Sequence, residues 1–68
     1  MRTVATSNDL VRLSFLQALL ADAGIEAFVL DAFASVTEGS AGAIQRRLAV
    51  AARDEWRARR VLVEAGEA

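Results

Sequence analysis

The residues with the clearest capacity for chemistry lie in one short segment, EGSAGAIQRR, from Glu38 to Arg47. Gly39 and Gly42 would allow backbone N–H groups to converge on an oxyanion, and Arg46 follows closely with a guanidinium group suited to carboxylate or phosphate. The segment has neither the glycine spacing nor the lysine of a phosphate-binding P-loop. A glycine-bearing turn that enters a strand is the commoner explanation of such spacing. Both alternatives stay open at this point.

Acidic and hydroxyl residues near this segment would allow two other kinds of site. Asp31 and Glu38 could form a carboxylate pair for proton transfer, and together with Ser40 they could bind a hard metal ion. Neither set has a distinctive spacing, and solvated acidic residues are far commoner than either kind of site. We therefore predict no metal site.

The chain lacks most of the side-chain types that commonly take part in catalysis. The sequence contains no His, Cys, Lys or Tyr, so it lacks the common nucleophiles, the usual proton shuttle at neutral pH and all soft metal ligands. Serine and threonine remain, but no dedicated base is present to activate them. We expect that the protein is not an enzyme, has no catalytic residues and needs no cofactor.

Length and charge narrow the class of protein further. The chain has 68 residues, of which 54% are hydrophobic, which predicts one folded domain, residues 1–68, near the lower size limit for a self-sufficient core. Without cysteines no disulfide can support that core, so we expect a homo-oligomer. The net charge of −1 provides no attraction to nucleic acid or to an anionic membrane. No apolar run has the length of a signal peptide or a membrane span, and we expect a cytoplasmic protein.

The spacing of apolar residues and of chain breakers predicts five elements in the order βαββα. Strands are predicted at residues 2–7, 25–30 and 43–50, and helices from a cap at Ser7 or Asn8 to about Ala23 and from Arg53 to Ala65. Gly24 and Gly66 are predicted to end the helices. Residues 31–42 are predicted as a loop with one possible helical turn at 32–36.

This order predicts an α+β fold, a ferredoxin-like half sandwich. A right-handed crossover places both helices on one face of the sheet. The third strand then fits between the first and the second, antiparallel to both, in a three-stranded sheet. Because the usual fourth strand is missing, we expect an open edge along strand 2–7 and a sheet face without covering helices.

Alternation along the strands distributes the arginines and the apolar residues over both faces of the sheet. Arg46 shares the core face with Leu48, so its head group should pair with a carboxylate or with loop carbonyls. Asp31 and Glu38 are the candidate carboxylates. Arg47 falls on the opposite, open face. It is therefore the better candidate for contact with a ligand or a partner.

Four large apolar residues are candidates for an interface. In strand 25–30 both alternating sets are apolar, so one set must stay outside, and we single out Phe28 and Leu30. Phe15 and Trp56 lie away from the core stripes of their helices, and large aromatic residues are enriched at interface centres. The alternative is that these two aromatic residues only flank the core or cover the loop.

Three stretches, LSFLQALLADAGIEAFVLD, EGSAGAIQRRLAV and ARRVLVEAG, resemble a family of short bacterial proteins described as signal-transducing, a domain of unknown function. The most specific part is Gly-Ala-Ile-x-Arg-Arg-Leu at 42–48, preceded by Glu38 and Gly39. The chain departs from the family at Gln45, where proline is usual, and at Trp56, where smaller residues are usual. The resemblance implies a PII-like, ferredoxin-related fold and regulation through binding, with Glu38, Gly39, Gly42, Arg46 and Arg47 as candidate functional positions.

Two functions of different classes follow from these observations. The first is a small regulatory module that senses a ligand, for example a small anion, or a protein partner through loop 31–42 and the arginines behind it. The second is a structural accessory protein that works only by forming oligomers or by docking on another protein.

Overall fold

A computed structural model of the chain describes residues 1–31 and 45–67. The elements are β1 (Arg2–Ser7), α1 (Leu10–Asp22), β2 (Ala27–Asp31), β3 (Arg46–Val50) and α2 (Glu55–Glu64), with a 3-10 helix at Ala52–Asp54 that runs directly into α2. The predicted order βαββα is confirmed. The predicted helical turn at 32–36 lies outside the described residues.

The three strands form one antiparallel sheet with β3 in the centre, in the order β1-β3-β2. The register of β1 against β3 shifts between Thr3 and Ala5, which makes Val4 the extra residue of a β-bulge. Val4 and Ala5 both contact the hydrophobic core, although adjacent residues of a regular strand face opposite sides. The bulge thus allows a short edge strand to contribute two neighbouring side chains to the core.

Both helices pack on the same face of this sheet. The buried residues of the helices form one core cluster with the inward residues of the strands and with Ile25 in the turn between α1 and β2. Its members are Leu13, Leu16 and Leu20 of α1, Ala58 and Leu62 of α2, Val4, Ala27, Leu48 and Val50 of the strands, and Ile25. This is the predicted α+β, ferredoxin-like half sandwich. Neither described helix is long and apolar enough to cross a membrane.

Asp9 caps α1, in place of the predicted Ser7 or Asn8. The Asp9 carboxylate accepts hydrogen bonds from the backbone N–H groups of Val11 at 2.9 Å and Arg12 at 3.3 Å. The Ser7 hydroxyl oxygen accepts from the backbone N–H of Asp9 at 3.0 Å, so Ser7 orients the cap instead of forming it. All three residue types are good caps, and only the direction of the chain leaving β1 decides between them.

The helices end at Gly24 and Gly66, as predicted, with φ of 80° and 77°. At the end of α1 the Gly24 N–H donates to the Ala21 carbonyl and the Ile25 N–H donates to the Leu20 carbonyl, both at 2.9 Å. This pair of bonds is a Schellman motif, which requires a left-handed residue after the helix. Ile25 and Leu20 are both buried, so the motif also attaches the helix end to the core.

Two predicted strand boundaries were wrong. We predicted that the second strand begins at Ile25, but β2 begins at Ala27 because the Ile25 N–H is used in the helix-ending motif. We predicted that the third strand begins at residue 43, but Gln45 is not in a strand and β3 begins at Arg46. Residues 43 and 44 lie outside the described part of the chain.

The outer edge of β1 carries a cluster of charged side chains from α2. Arg59 donates a hydrogen bond to the Thr3 carbonyl at 3.1 Å and contacts the Glu55 carboxylate at 3.1 Å. Arg2 lies 3.6 Å from the same carboxylate. Within residues 1–31 and 45–67 no strand pairs with this edge, but charged side chains along an edge oppose indiscriminate strand pairing.

Candidate functional site

The predicted ligand-binding loop cannot be placed. Glu38, Gly39, Ser40 and Gly42 lie outside the described residues. The acidic pair and the metal site that would combine Asp31 with Glu38 therefore stay untested. The anion-binding role of the four loop residues stays a prediction. In the described part of the chain no group of three or more acidic, histidine or cysteine residues could hold a metal ion.

Arg46 begins β3 on the core side, as its spacing from Leu48 predicts, and it is half-buried. The backbone register places it opposite Ser7 of β1 and opposite Asp31 of β2. Directly opposed positions in antiparallel strands have Cβ atoms about 4.5–5.5 Å apart. The predicted pairing with Asp31 fits this register and stays a prediction, while Glu38 lies outside the described residues.

Arg47 is exposed on the face of the sheet that the helices do not cover. It lies on the central strand, opposite Thr6 on one side and opposite Leu30 on the other. In residues 1–31 and 45–67 its guanidinium group makes no hydrogen bond or ion pair. Five other arginines do make ion pairs, namely Arg2, Arg12, Arg57, Arg59 and Arg60. Arg47 therefore has its donors available for another molecule.

Phe28 and Leu30 lie beside this arginine on the same face. The sequence left open which alternating set of β2 faces the core, and the structure shows that it is Ala27 and Val29. Phe28 is 41% exposed and lies opposite Ala49 of the central strand. The alternation of β2 thus places the two candidate interface residues, Phe28 and Leu30, on the outward side, and their role in an interface stays a prediction. We define the open sheet face as Thr3, Thr6, Phe28, Leu30 and Arg47, and Ala49 between them is only 1% exposed.

The two helical interface candidates are also exposed. Phe15 is 52% exposed on α1, four residues from the 79% exposed Val11, and Trp56 is 71% exposed on α2. Trp56 and Val63 line a groove of about 400 Å³ on the outer side of α2. With this exposure Trp56 contributes little to the core, while the other alternative, that it covers the loop, concerns residues outside the described part of the chain.

A cavity that the sequence analysis missed lies where β3 ends and β2 begins. Its volume is about 420 Å³, and it is lined by Met1, Gly24, Glu26, Phe28, Ala51, Arg53, Asp54 and Arg57. These residues come from three separate segments of the chain, near positions 1, 24–28 and 51–57, so no local pattern could assemble them. The only local signal was the four-residue spacing of Arg53 and Arg57, which puts both on one side of a helix.

Residues 1–66 match the protein family described as "Putative prokaryotic signal transducing protein". The chain belongs to this family. The match confirms the resemblance inferred from the three sequence stretches and gives this family member a broad assignment to signalling. Neither the search of curated proteins nor that of solved structures found a match. The family description names no ligand, partner or reaction, so any finer function must be argued from the molecule itself.

Proposed function

We propose that this member of the signal-transducing family is a regulatory module that binds a protein partner and catalyses no reaction. The open sheet face is its docking surface. The observation that carries the proposal is the exposed Arg47 on the central strand, which has no bonding partner in the described part of the chain. It lies opposite Leu30, with Phe28 on the same face. This is the constellation that protein interfaces favour at their centres, an arginine beside an aromatic residue.

The chemistry of this face specifies the partner. A carboxylate that docks on Arg47 would form charge-assisted hydrogen bonds. Phe28 and Leu30 would exclude water from that pair once a partner covers them, and the attraction between two charges grows as water is removed. The partner segment should therefore present an aspartate or a glutamate between apolar side chains.

The PII-like aspect of the proposal is control of docking by a ligand. An anion site in loop 31–42 is one of the two alternatives that the sequence allows, and β3 begins at Arg46, one residue before Arg47. The residues that would bind a small anion in that loop precede the docking arginine, Arg47, by only a few positions in the sequence. Such a ligand would alter the charge that the partner meets.

Replacing Arg47 with alanine should abolish selective binding of acidic peptides without destabilising the fold. The test is selection from a random peptide library on the immobilised protein. We expect peptides with Asp or Glu among apolar residues to be enriched, and we expect Arg47→Ala to bind them at least about tenfold more weakly. The free energy of unfolding should change by less than about 0.5 kcal/mol, as for most surface substitutions.

The matched control is Arg60→Ala, which removes another exposed arginine from the outer side of α2 and should bind the peptides normally. Equal binding to wild-type protein and Arg47→Ala would exclude the docking role of this arginine. Absence of any acidic enrichment would do the same.

A structural role through self-association is the second candidate function. It is favoured by large apolar side chains that both helices expose, Val11 and Phe15 on α1 and Trp56 and Val63 on α2. Wild-type protein should sediment as a dimer or larger assembly at micromolar concentration, and Phe15→Ser should shift it toward the monomer, with Ser14→Ala as the control. Sedimentation of the wild type as a monomer alone would rule this candidate out.

A further inference from the structure

The cavity at the far end of the sheet from Arg46 has a distinct chemical character. It has a volume of about 420 Å³. Its lining includes Glu26, Phe28 and Ala51 at this end of the sheet, and two arginines, Arg53 in the 3-10 helix and Arg57 in α2. Cavities of this size hold small molecules, and a few convergent polar groups then set their orientation.

The two arginines differ in how they are held. Arg57 donates a hydrogen bond to the Ala23 carbonyl at 3.1 Å, and its other terminal nitrogen lies 3.8 Å from the Asp54 carboxylate. Asp54 and Arg57 therefore largely neutralise each other, while the guanidinium group is fixed in place with donors to spare. Arg53 is exposed and makes no hydrogen bond or ion pair within residues 1–31 and 45–67.

Glu26 supplies the opposite charge. Its carboxylate is exposed and has no hydrogen bond or ion pair to the described residues. Among the side chains that line the cavity, the charged ones besides the Asp54–Arg57 pair are one cation, Arg53, and one anion, Glu26. These two are not joined to each other in the described part of the chain. An anionic ligand would be repelled by the glutamate, and a cationic ligand would be repelled by the arginine.

We infer that this cavity binds a small zwitterion, namely an amino acid with an apolar side chain. Arg53 binds the α-carboxylate, with spare donors of Arg57 beside it, and Glu26 binds the α-ammonium group. The apolar side chain of the ligand packs on Phe28 and Ala51. The site goes beyond the proposed docking function and does not depend on it, because Arg47 takes no part.

The test is a titration of the protein with each standard amino acid at up to millimolar concentration, followed by calorimetry. We expect at least one apolar amino acid to bind. The analogues of that ligand that lack the amino group or the carboxylate should bind at least about tenfold more weakly, as expected for loss of one charge-assisted contact. Failure of every amino acid to bind would overturn the inference, and so would an equally tight deaminated analogue.

Single substitutions locate the site. Arg53→Gln and Glu26→Gln should each weaken binding at least about tenfold. Both should fold normally because each side chain is exposed and makes no bond to a described residue. Arg60→Gln and Arg47→Ala are the controls and should bind the amino acid like wild-type protein. Unchanged binding in both Arg53→Gln and Glu26→Gln would place the ligand elsewhere. The two proposals can fail independently. If the wild-type protein selects no acidic peptides but binds an amino acid, the docking proposal fails and this inference stands.

Discussion

Replacing Leu62 with alanine should lower the free energy of unfolding by about 2–5 kcal/mol, because it removes buried methyl groups and leaves a cavity. Leu62 is 1% exposed and belongs to the cluster that joins α2 to the sheet. Small domains have total stabilities near the low end of the usual range of about 5–15 kcal/mol. We expect a large fraction of this variant to be unfolded at ambient temperature, as measured by urea denaturation with far-UV circular dichroism.

The matched control is the next residue on the same helix. Val63 is 58% exposed, so Val63→Ala should change the free energy of unfolding by less than about 0.5 kcal/mol. Similar losses in the two variants would contradict the orientation of α2 on the sheet. A larger loss for Val63→Ala would mean that α2 faces the sheet with its other side.

Replacing Gly24 with alanine should destabilise the protein by about 1–2 kcal/mol, the cost of holding a residue with a Cβ atom in the left-handed region. The φ of Gly24 is 80°, and two backbone hydrogen bonds of the helix-ending motif fix it there. An added Cβ would lie 4.0 Å from the nearest described atom, a nitrogen of Arg57. The cost therefore comes from the backbone conformation and not from a clash, and thermal unfolding measures it.

Gly24→Asn provides the control, since asparagine tolerates the left-handed region better than alanine does. We expect the asparagine variant to recover part of the stability that the alanine variant loses. An alanine variant as stable as the wild type would contradict the left-handed geometry at this turn.

The sequence predicted the order and the packing faces of the elements because the spacing of apolar residues differs clearly between helix and strand. The sequence did not predict the exact first and last residues of the helices and strands. These depend on which backbone N–H and carbonyl groups are already hydrogen-bonded in the neighbouring caps and turns. The N–H of Ile25 is an example, because it completes the end of α1 and so delays β2. Asp9 is another, because three adjacent residues could each have capped α1.

The candidate site was predictable only in part for related reasons. The outward position of Arg47 follows from alternation with Leu48 alone, so the sequence predicted it. The outward position of Phe28 could not be predicted from alternation, because both alternating sets of β2 are apolar. Only the pairing of β2 with β3 decides which set faces the core. The cavity with Arg53 and Glu26 was not predictable, since folding alone brings its separate segments together.

The most direct test of the central claim is to map where a docked peptide contacts the protein. Amide NMR chemical shifts should be recorded while the acidic peptide enriched by library selection is titrated into the wild-type protein. If the peptide docks on the open sheet face, the shift changes should be concentrated at Thr6, Phe28 and Arg47, and the outer sides of α1 and α2 should be unaffected. Shift changes concentrated on Phe15 or Trp56, with none at Arg47, would contradict the central claim.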